Sequence, residues 1–394
     1  MNAPAGRKFE LGVQTFNLWN LRRVDPLLAL FVVSLASYGL VVLYSAGRSE
    51  YAPIPHVIKQ SIFFSLGACI ALIVSCIDYR FLISLAPAVY SIFIGLLIAV
   101  LAVGDEIKGA RRWLDLGPIG FQPSEYTKLV MVFTLAWYLT LIGRRIEKLP
   151  YFLLTFAVVG VPGLLIFKQP DLGTSSVLGP IAVAMLFAAG CRVRHLAGMA
   201  TLGLIALPIA WTHLKDYQKQ RVMTLIDPSA DPQGTGYHTI QSMITVGSGG
   251  LTGKGYLQGT QTYLSYLPEH HTDFIFSQLA EEFGFAGGCL ALALFLCLFW
   301  RALYIARSAS DPGGSLLAVG CVTLLAFHVF VNTSITIGIL PVTGIPLPFF
   351  SYGGTFCLTT MSCVGVILSV NARRSVPGQA GRPLVLSPVR QGIS

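Results

Sequence analysis

The sequence predicts an all-α polytopic membrane protein of about ten transmembrane helices, with a large extracytoplasmic loop between helices 7 and 8. Three observations carry that prediction. Of 394 residues, 54% are hydrophobic and only 11% charged, whereas a soluble domain averages about 25% charged. Apolar runs near the ~20 residues that a bilayer requires recur along the chain, and the mean hydropathy is +0.68. Of the 27 Lys and Arg, 16 fall in loops and terminal segments on the side of the N-terminus, the bias of cytoplasmic segments.

The apolar runs lie at about 27–46, 58–77, 81–103, 126–143, 151–167, 172–190, 196–213, 273–300, 316–339 and 354–371. The first lacks an A-x-A-like cleavage site and is expected to stay as a membrane helix. With the N-terminus cytoplasmic, the inner segments carry Arg22, Arg23, Arg80, Arg144, Arg145, Arg192, Arg194, Arg301, Arg307, Arg373 and Arg374. The outward basic residues cluster in two long segments, 104–125 and 214–272, which weigh little in the topology rule. Both termini are then cytoplasmic. Residues 1–24 form an N-terminal segment and 25–372 one membrane domain. The Pro-, Gly- and Arg-rich tail 373–394 is expected to be disordered.

The net charge of +9 implies no nucleic acid, because basic residues here mark topology and contacts with membrane lipids. The eight cysteines lie in predicted helices or at a helix end without CxxC spacing. They read as packing residues, with no disulfide or metal framework.

Five stretches carry polar chemistry into or beside the apolar runs. The first is YLPEHHTDFIFSQLAEEFG, 266–284, at the start of the eighth span. Carboxylates cost roughly 2.5–3.5 kcal/mol each at a membrane helix centre, so Asp273, Glu281 and Glu282 require a reason. Thr272 reads as a helix cap and Asp273 as first-turn. Helical spacing aligns Asp273, Ser277 and Glu281 on one stripe and turns Glu282 about 100° away. By spacing alone, a helix-terminus role and a site role for Asp273 stand about even. His270 and His271 have no assigned role.

The second stretch is GARRWLDLGPIGFQPSEYTK, 109–128, with Arg111 and Arg112 in an outer loop and Glu125 and Lys128 opening the fourth span. That i, i+3 pair reads either as self-neutralising or as a wall for an anionic headgroup. In KQPDLGTS, 168–175, Asp171 reads first as a helix cap. The glycines of 247–255 surround Lys254 in an outer loop that also holds Arg221. They lack P-loop order but suit pyrophosphate through backbone N–H groups. In NTSITIGILPVTGIPLPFFSYGG, 332–354, three prolines exclude a continuous helix, so it reads as a re-entrant or outer loop closing a site.

Taken together over about 25–371, the segments GARRWLDLGPIGFQPSE, QPDLGT, GGLTGKG, LPEHHTDFIFSQLAEEFG and PVTGIPLPFFSYGG resemble the SEDS family of bacterial cell-wall proteins. The stretch GLTGKGYLQGTQTYLSYLPEHHTDFIF is more similar to the elongation member than to the division member. The resemblance implies a peptidoglycan glycosyltransferase of the bacterial cytoplasmic (inner) membrane that polymerises lipid II during cell elongation. It further implies a class B penicillin-binding protein transpeptidase as partner, among other elongation-complex membrane proteins. The HTDFIF aspartate, here Asp273, is implied to be essential, and Glu125, Lys128, Asp171 and Glu281 match positions of the family's motifs.

The chemistry agrees. A sugar hydroxyl attacking an anomeric carbon needs a base, and lipid pyrophosphate leaves without a general acid, unlike in glycosidases. Asp273 suits the base, and Arg111, Arg112, Lys128, Arg221 and Lys254 suit the departing charge. A divalent cation, Mg²⁺ or Mn²⁺, is compatible with this chemistry, although the sequence shows no fixed ligand cage. Alternatives of other classes are a lipid II flippase or transporter, and a membrane scaffold for a cell-wall transpeptidase.

Overall fold

Four aspartates start helices. The carboxylates of Asp25, Asp78, Asp171 and Asp311 accept from the N–H groups of Leu28 (2.9 Å), Arg80 (2.8 Å), Thr174 (3.1 Å) and Gly314 (2.9 Å). Each satisfies a donor that the first turn leaves orphaned. Pro26, Pro123 and Pro312 open three helices, where a missing N–H costs nothing.

The computed structural model describes residues 23–47, 55–107, 110–115, 120–213, 235–260 and 271–374, with a few isolated positions besides. In chain order these form α1 (Pro26–Ala46), α2 (His56–Cys76), α3 (Tyr79–Val103), β1 (Asp105–Ile107), β2 (Ala110–Asp115), β3 (Gly120–Phe121) and α4 (Pro123–Ile142). A 3₁₀ turn, Gly143–Glu147, leads into α5 (Leu149–Lys168), α6 (Leu172–Ala188), α7 (Val193–His213) and α8 (Thr235–Ser248). Then follow α9 (Ile275–Arg307), α10 (Pro312–Thr336) and α11 (Gly354–Ala372). Among the described residues, eight helices have the length and hydropathy to cross a membrane, and Leu172–Ala188 and Val193–Ala206 are two shorter apolar helices. Each of the ten predicted spans therefore has a helix.

The core helix is α11, which is almost wholly buried, whereas α3 lies at the periphery with most of its residues at least partly exposed. Small residues let it approach α2, where Gly365 packs on Ala71 and Gly67 on Met361. The eight cysteines are free. Beside the helices, the three short strands form an antiparallel sheet of order β1-β2-β3. The expectations for the terminal segments 1–22 and 375–394 lie outside the described residues.

Two boundaries differ from expectation. Helix α9 begins at Ile275 with Phe274 as N-cap. Asp273 thus precedes the helix instead of occupying its first turn, and the polar stripe starts at Ser277. Helix α10 ends at Thr336, three residues before the predicted 339, with Asn332 on the helix as expected, and the non-helical stretch is 337–353.

The helices other than α8 alternate in direction, and α8 runs alongside the start of α9 in the same direction, with Ser242 beside Ser277 and Gly249 beside Ala280. One end of the bundle, the loop end, gathers 104–107, 110–115, 120–122, 169–171, 249–260, 271–274 and 337–353. The other, the termini end, holds 23–25, 77–78, 143–148, 189–192, 308–311 and 373–374.

Candidate functional site

At the loop end, Asp273 lies half-buried in the turn 271–274. Asn332 of α10 fixes that turn, its Nδ2 donating to the carbonyls of Asp273 (2.9 Å) and Ile345 (2.8 Å). Ser351 Oγ donates to the Thr272 carbonyl and Tyr352 N–H to the His271 carbonyl (2.9 Å). The turn before α9 and the loop 337–353 are thereby laced into one unit. A Cβ built on Gly344 would sit 3.6 Å from Asp273 Oδ2, so the carboxylate lies against this loop. His271 stacks on His56 with centroids 4.8 Å apart, and Tyr352 meets His56 edge-on at 4.5 Å.

Behind the same loop sits the buried pair predicted from spacing. Lys128 Nζ donates to Glu125 Oε2 at 2.8 Å, with side chains 1% and 8% exposed. The ammonium also meets His328 Nε2 at 3.0 Å, and His328 Nδ1 meets the Pro346 carbonyl at 3.0 Å. A carbonyl only accepts, so Nδ1 carries the proton and Nε2 accepts from Lys128. A polar chain thus runs from Glu125 through Lys128 and His328 to Pro346, and Ile345 joins it to Asn332 and Asp273. His328 and Asn332 read by sequence as core hydrogen-bonding residues. The structure makes them the link between α4, the loop and Asp273, across separations that sequence spacing does not encode.

Asp171 caps α6, and Gln122 Nε2 approaches its other oxygen at 3.5 Å. Gly173, two residues on, packs against Thr343 and Ile345, which brings the start of α6 to the same loop. Arg112 donates Nε to the Gln169 carbonyl at 3.1 Å and Nη2 to that of Pro170, tying the small sheet to the α5–α6 turn. The Arg111 side chain and the whole of Arg221 lie outside the described residues.

Glu281 and Lys254 meet on the α9 side. Glu281 is fully buried, and Lys254 Nζ donates to its Oε1 at 2.6 Å and to Thr260 Oγ1 at 2.8 Å. Ser277, one turn above Glu281, shares a hydrogen bond with Ser242 of α8 (2.8 Å). Glu282 turns away, as helical spacing predicts, accepting from Ser45 Oγ and from Gln278 Nε2 (2.8 Å).

The backbone beside this pair is broken. Gly284 has φ 68° and ψ −166° inside α9. Its neighbours replace the lost helical bonds with the glycine-rich loop. Phe285 and Ala286 N–H donate to the Gly250 (2.9 Å) and Leu251 (3.0 Å) carbonyls, and Lys254 and Gly255 N–H donate to those of Glu281 (3.0 Å) and Glu282 (3.1 Å). Gly253, at φ 83°, lies so close that a Cβ would come 2.1 Å from the Glu282 oxygen. Non-helical backbone at membrane depth survives only when protein satisfies it, and this loop does so.

Among the described residues, no three of His, Cys, Asp and Glu gather to hold a metal ion.

The fold and this end define a class: a multi-pass membrane protein whose polar site is closed by non-helical segments at one end of a helical bundle. Residues 26–376 match the FtsW/RodA/SpoVE family of cell cycle proteins, the SEDS family, and the chain belongs to it. It is 40% identical over 361 residues to the peptidoglycan glycosyltransferase MrdB of Escherichia coli K12, covering 91% of this chain and 96% of that one. It is 35% identical over 370 residues to a probable peptidoglycan glycosyltransferase FtsW of Geobacter sulfurreducens, covering 91% and 97%. A solved peptidoglycan synthase complex that coordinates polymerization and crosslinking contains a similar chain, with TM-score 0.77 and 33% identity over 88% of this chain and 97% of that one. The rod shape determining protein RodA of Thermus thermophilus gives TM-score 0.67 and 32% identity, covering 89% and 97%.

Proposed function

We propose that this protein is a peptidoglycan glycosyltransferase that polymerises lipid II in cell elongation, with Asp273 as general base. Family membership supports the activity. The observation that carries the residue is the Asp273 turn, half-buried at the loop end and laced to 337–353 through Asn332.

In the reaction a sugar hydroxyl oxygen forms a bond to the anomeric carbon, and the bond from that carbon to lipid pyrophosphate breaks. The hydroxyl proton passes to the Asp273 carboxylate, and the electron pair leaves on the pyrophosphate. Asn332 holds the backbone from which the carboxylate projects. Glu125 and Lys128 are buried behind the loop, so their part is to keep 345–346 in place through His328. Asp171 acts likewise by capping α6 against the loop. Glu281 and Lys254 hold the kinked helix and the glycine-rich loop beside the substrate. Arg111, Arg112 and Arg221 are the cations for departing charge. An Mg²⁺ or Mn²⁺ ion would find one carboxylate at the turn, Asp273, and take its remaining oxygens from pyrophosphate and water.

The loop end faces the outside of the bacterial cytoplasmic membrane, and both termini face the cytoplasm. The arginine-rich short loops of the termini end support that orientation. A class B penicillin-binding protein is the partner transpeptidase, a reading supported by the synthase complex to which this chain is similar.

The test is glycan-chain formation from lipid II by the purified protein, with and without the partner transpeptidase. Asp273→Asn keeps the shape and removes the base, and should lower the rate by roughly 10²–10⁴-fold. Parent-level polymerisation by Asp273→Asn and Asp273→Ala would overturn the assignment.

A further inference from the structure

We propose that a cavity at the termini end is a binding site for the headgroup of an anionic phospholipid. It lies between the start of α1, the last turns of α9 and the end of α11, and its volume is about 350 Å³. That is within the usual size range of small-ligand clefts. The polymerisation site lies at the opposite end of the bundle, so this proposal stands apart from the proposed function.

The lining holds three arginines, Arg23, Arg301 and Arg374, and one carboxylate, Asp25. Asp25 is already engaged. Arg301 clamps it with Nη2 to Oδ2 at 2.6 Å and Nε to Oδ1 at 3.0 Å, and Leu28 N–H donates to Oδ1. Burial pushes this carboxyl up, but the bonds from Arg301 and Leu28 and the charges of Arg301 and Arg374 outweigh burial and hold it below its usual value. Arg23 donates one nitrogen to the Ala372 carbonyl (3.1 Å), and its own carbonyl accepts from Asn371 Nδ2 (2.9 Å). The Arg374 side chain has no hydrogen-bond or ion-pair partner among the described residues. The wall is therefore prebuilt and cationic, with guanidinium donors left over. Guanidinium groups suit phosphate because their fork matches its oxygens.

The depth suits a lipid. Arg301 stands six residues before the end of α9, about 9 Å along the axis, and its guanidinium lies over Tyr304 at 4.9 Å. Trp300 and Tyr304, 80% and 50% exposed, flank it. Exposed Trp and Tyr on membrane helices mark the headgroup level. The flanking sequence offers the cavity little negative charge. Residues 375–394 contain no Asp or Glu, and Glu10 is the one acidic side chain in 1–22.

The experiment is native mass spectrometry of the delipidated full chain in detergent, titrated separately with phosphatidylglycerol, phosphatidylcholine and inorganic phosphate. Phosphatidylglycerol should be retained one to one, about tenfold or more tighter than phosphatidylcholine, whose added cation the arginines repel. Arg374→Glu and the double variant Arg23→Gln/Arg374→Gln should weaken retention by about tenfold or more, the worth of a charged hydrogen bond. Arg374→Lys keeps the charge and should retain the lipid, which separates charge from fold. Equal retention by Arg374→Glu would overturn the site. Phosphatidylcholine bound as tightly, or inorganic phosphate displacing phosphatidylglycerol at equal concentration, would overturn the anionic-lipid assignment.

Discussion

Asp273 at the loop end and the aspartates of the termini end are held in opposite ways. At the termini end, three aspartates each cap their own helix and also hold an arginine from another. Asp25 joins α1 to Arg301 of α9, Asp78 joins α3 to Arg373 beyond α11, and Asp311 joins α10 to Arg80 of α3. At the loop end, Asp171 also caps its helix, but Asp273 precedes its own, and the N-cap there is Phe274. Its position comes from side chains of α10 and the 337–353 loop gripping its backbone. A capping aspartate has its lone pairs committed to the fold. Asp273 is instead positioned through its backbone carbonyl, which accepts from Asn332. The same residue type thus serves as a rivet at one end and, under the proposed function, as the base at the other.

The contrast breaks most sharply at Lys128. Removing one partner of a buried ion pair strands the other's charge, at about 3–5 kcal/mol. Lys128→Ala should therefore lower the melting temperature in detergent far more than Asp273→Asn, which leaves the fold near the parent's. The double variant Glu125→Gln/Lys128→Met should recover most of that stability but little polymerisation, because His328 then loses its donor. A Lys128→Ala protein with the parent's melting temperature would refute the buried pair.

The glycine-rich loop gives the next test. Gly253 and Gly250 both have positive φ, but a Cβ meets the Glu282 carbonyl at 2.1 Å from Gly253 and nothing within 4 Å from Gly250. Gly250→Ala should cost about 1–2 kcal/mol, the left-handed penalty alone. Gly253→Ala should cost visibly more in thermal unfolding, because it also pushes the loop off the broken helix. Equal costs would show that the loop does not stitch the break.

Asp25→Asn sharpens the other side of the comparison. Asparagine caps as well as aspartate, so only the charged bonds to Arg301 are lost, about 1.5 kcal/mol. The melting temperature should fall modestly, while lipid II polymerisation stays at the parent rate per folded molecule.

What the sequence made legible follows the range of the interaction. The spans are long hydrophobic runs, the Asp171 cap is local, and Glu125 and Lys128 are one turn apart, so each reads directly. The break at Gly284 does not, because a single glycine in a helical pattern is tolerated and its partners lie some thirty residues upstream. The placement of Asp273 does not either. Capping preference puts Thr272 or Asp273 at the helix start, but Asn332 and Ser351 grip the backbone of 272–273 and move the start to Ile275. The link from Lys128 to His328 spans 200 residues and leaves no periodic trace.

The smallest effect is a pH dependence confined to the termini end. Burial raises the Asp311 carboxyl, but bonds from Tyr79 (2.6 Å), the Gly314 N–H and Arg80 (2.8 Å), with the Arg80 charge, outweigh it and leave the group below its ordinary value. Asp25 is lowered in the same sense. A carboxyl lowered in the folded state binds its proton more readily when unfolded. Its stabilisation is therefore complete above the ordinary value near 3.8 and is lost as pH falls through the folded value. The melting temperature should hold across neutral pH and fall below about pH 4. Asp311→Asn should start lower and lose less on acidification, since the group that must be protonated is gone. An acid-induced fall of full size in the Asp311→Asn/Asp25→Asn double variant would place the sensitive carboxylates elsewhere. The division between a riveted end and a reactive end would then lose its electrostatic basis.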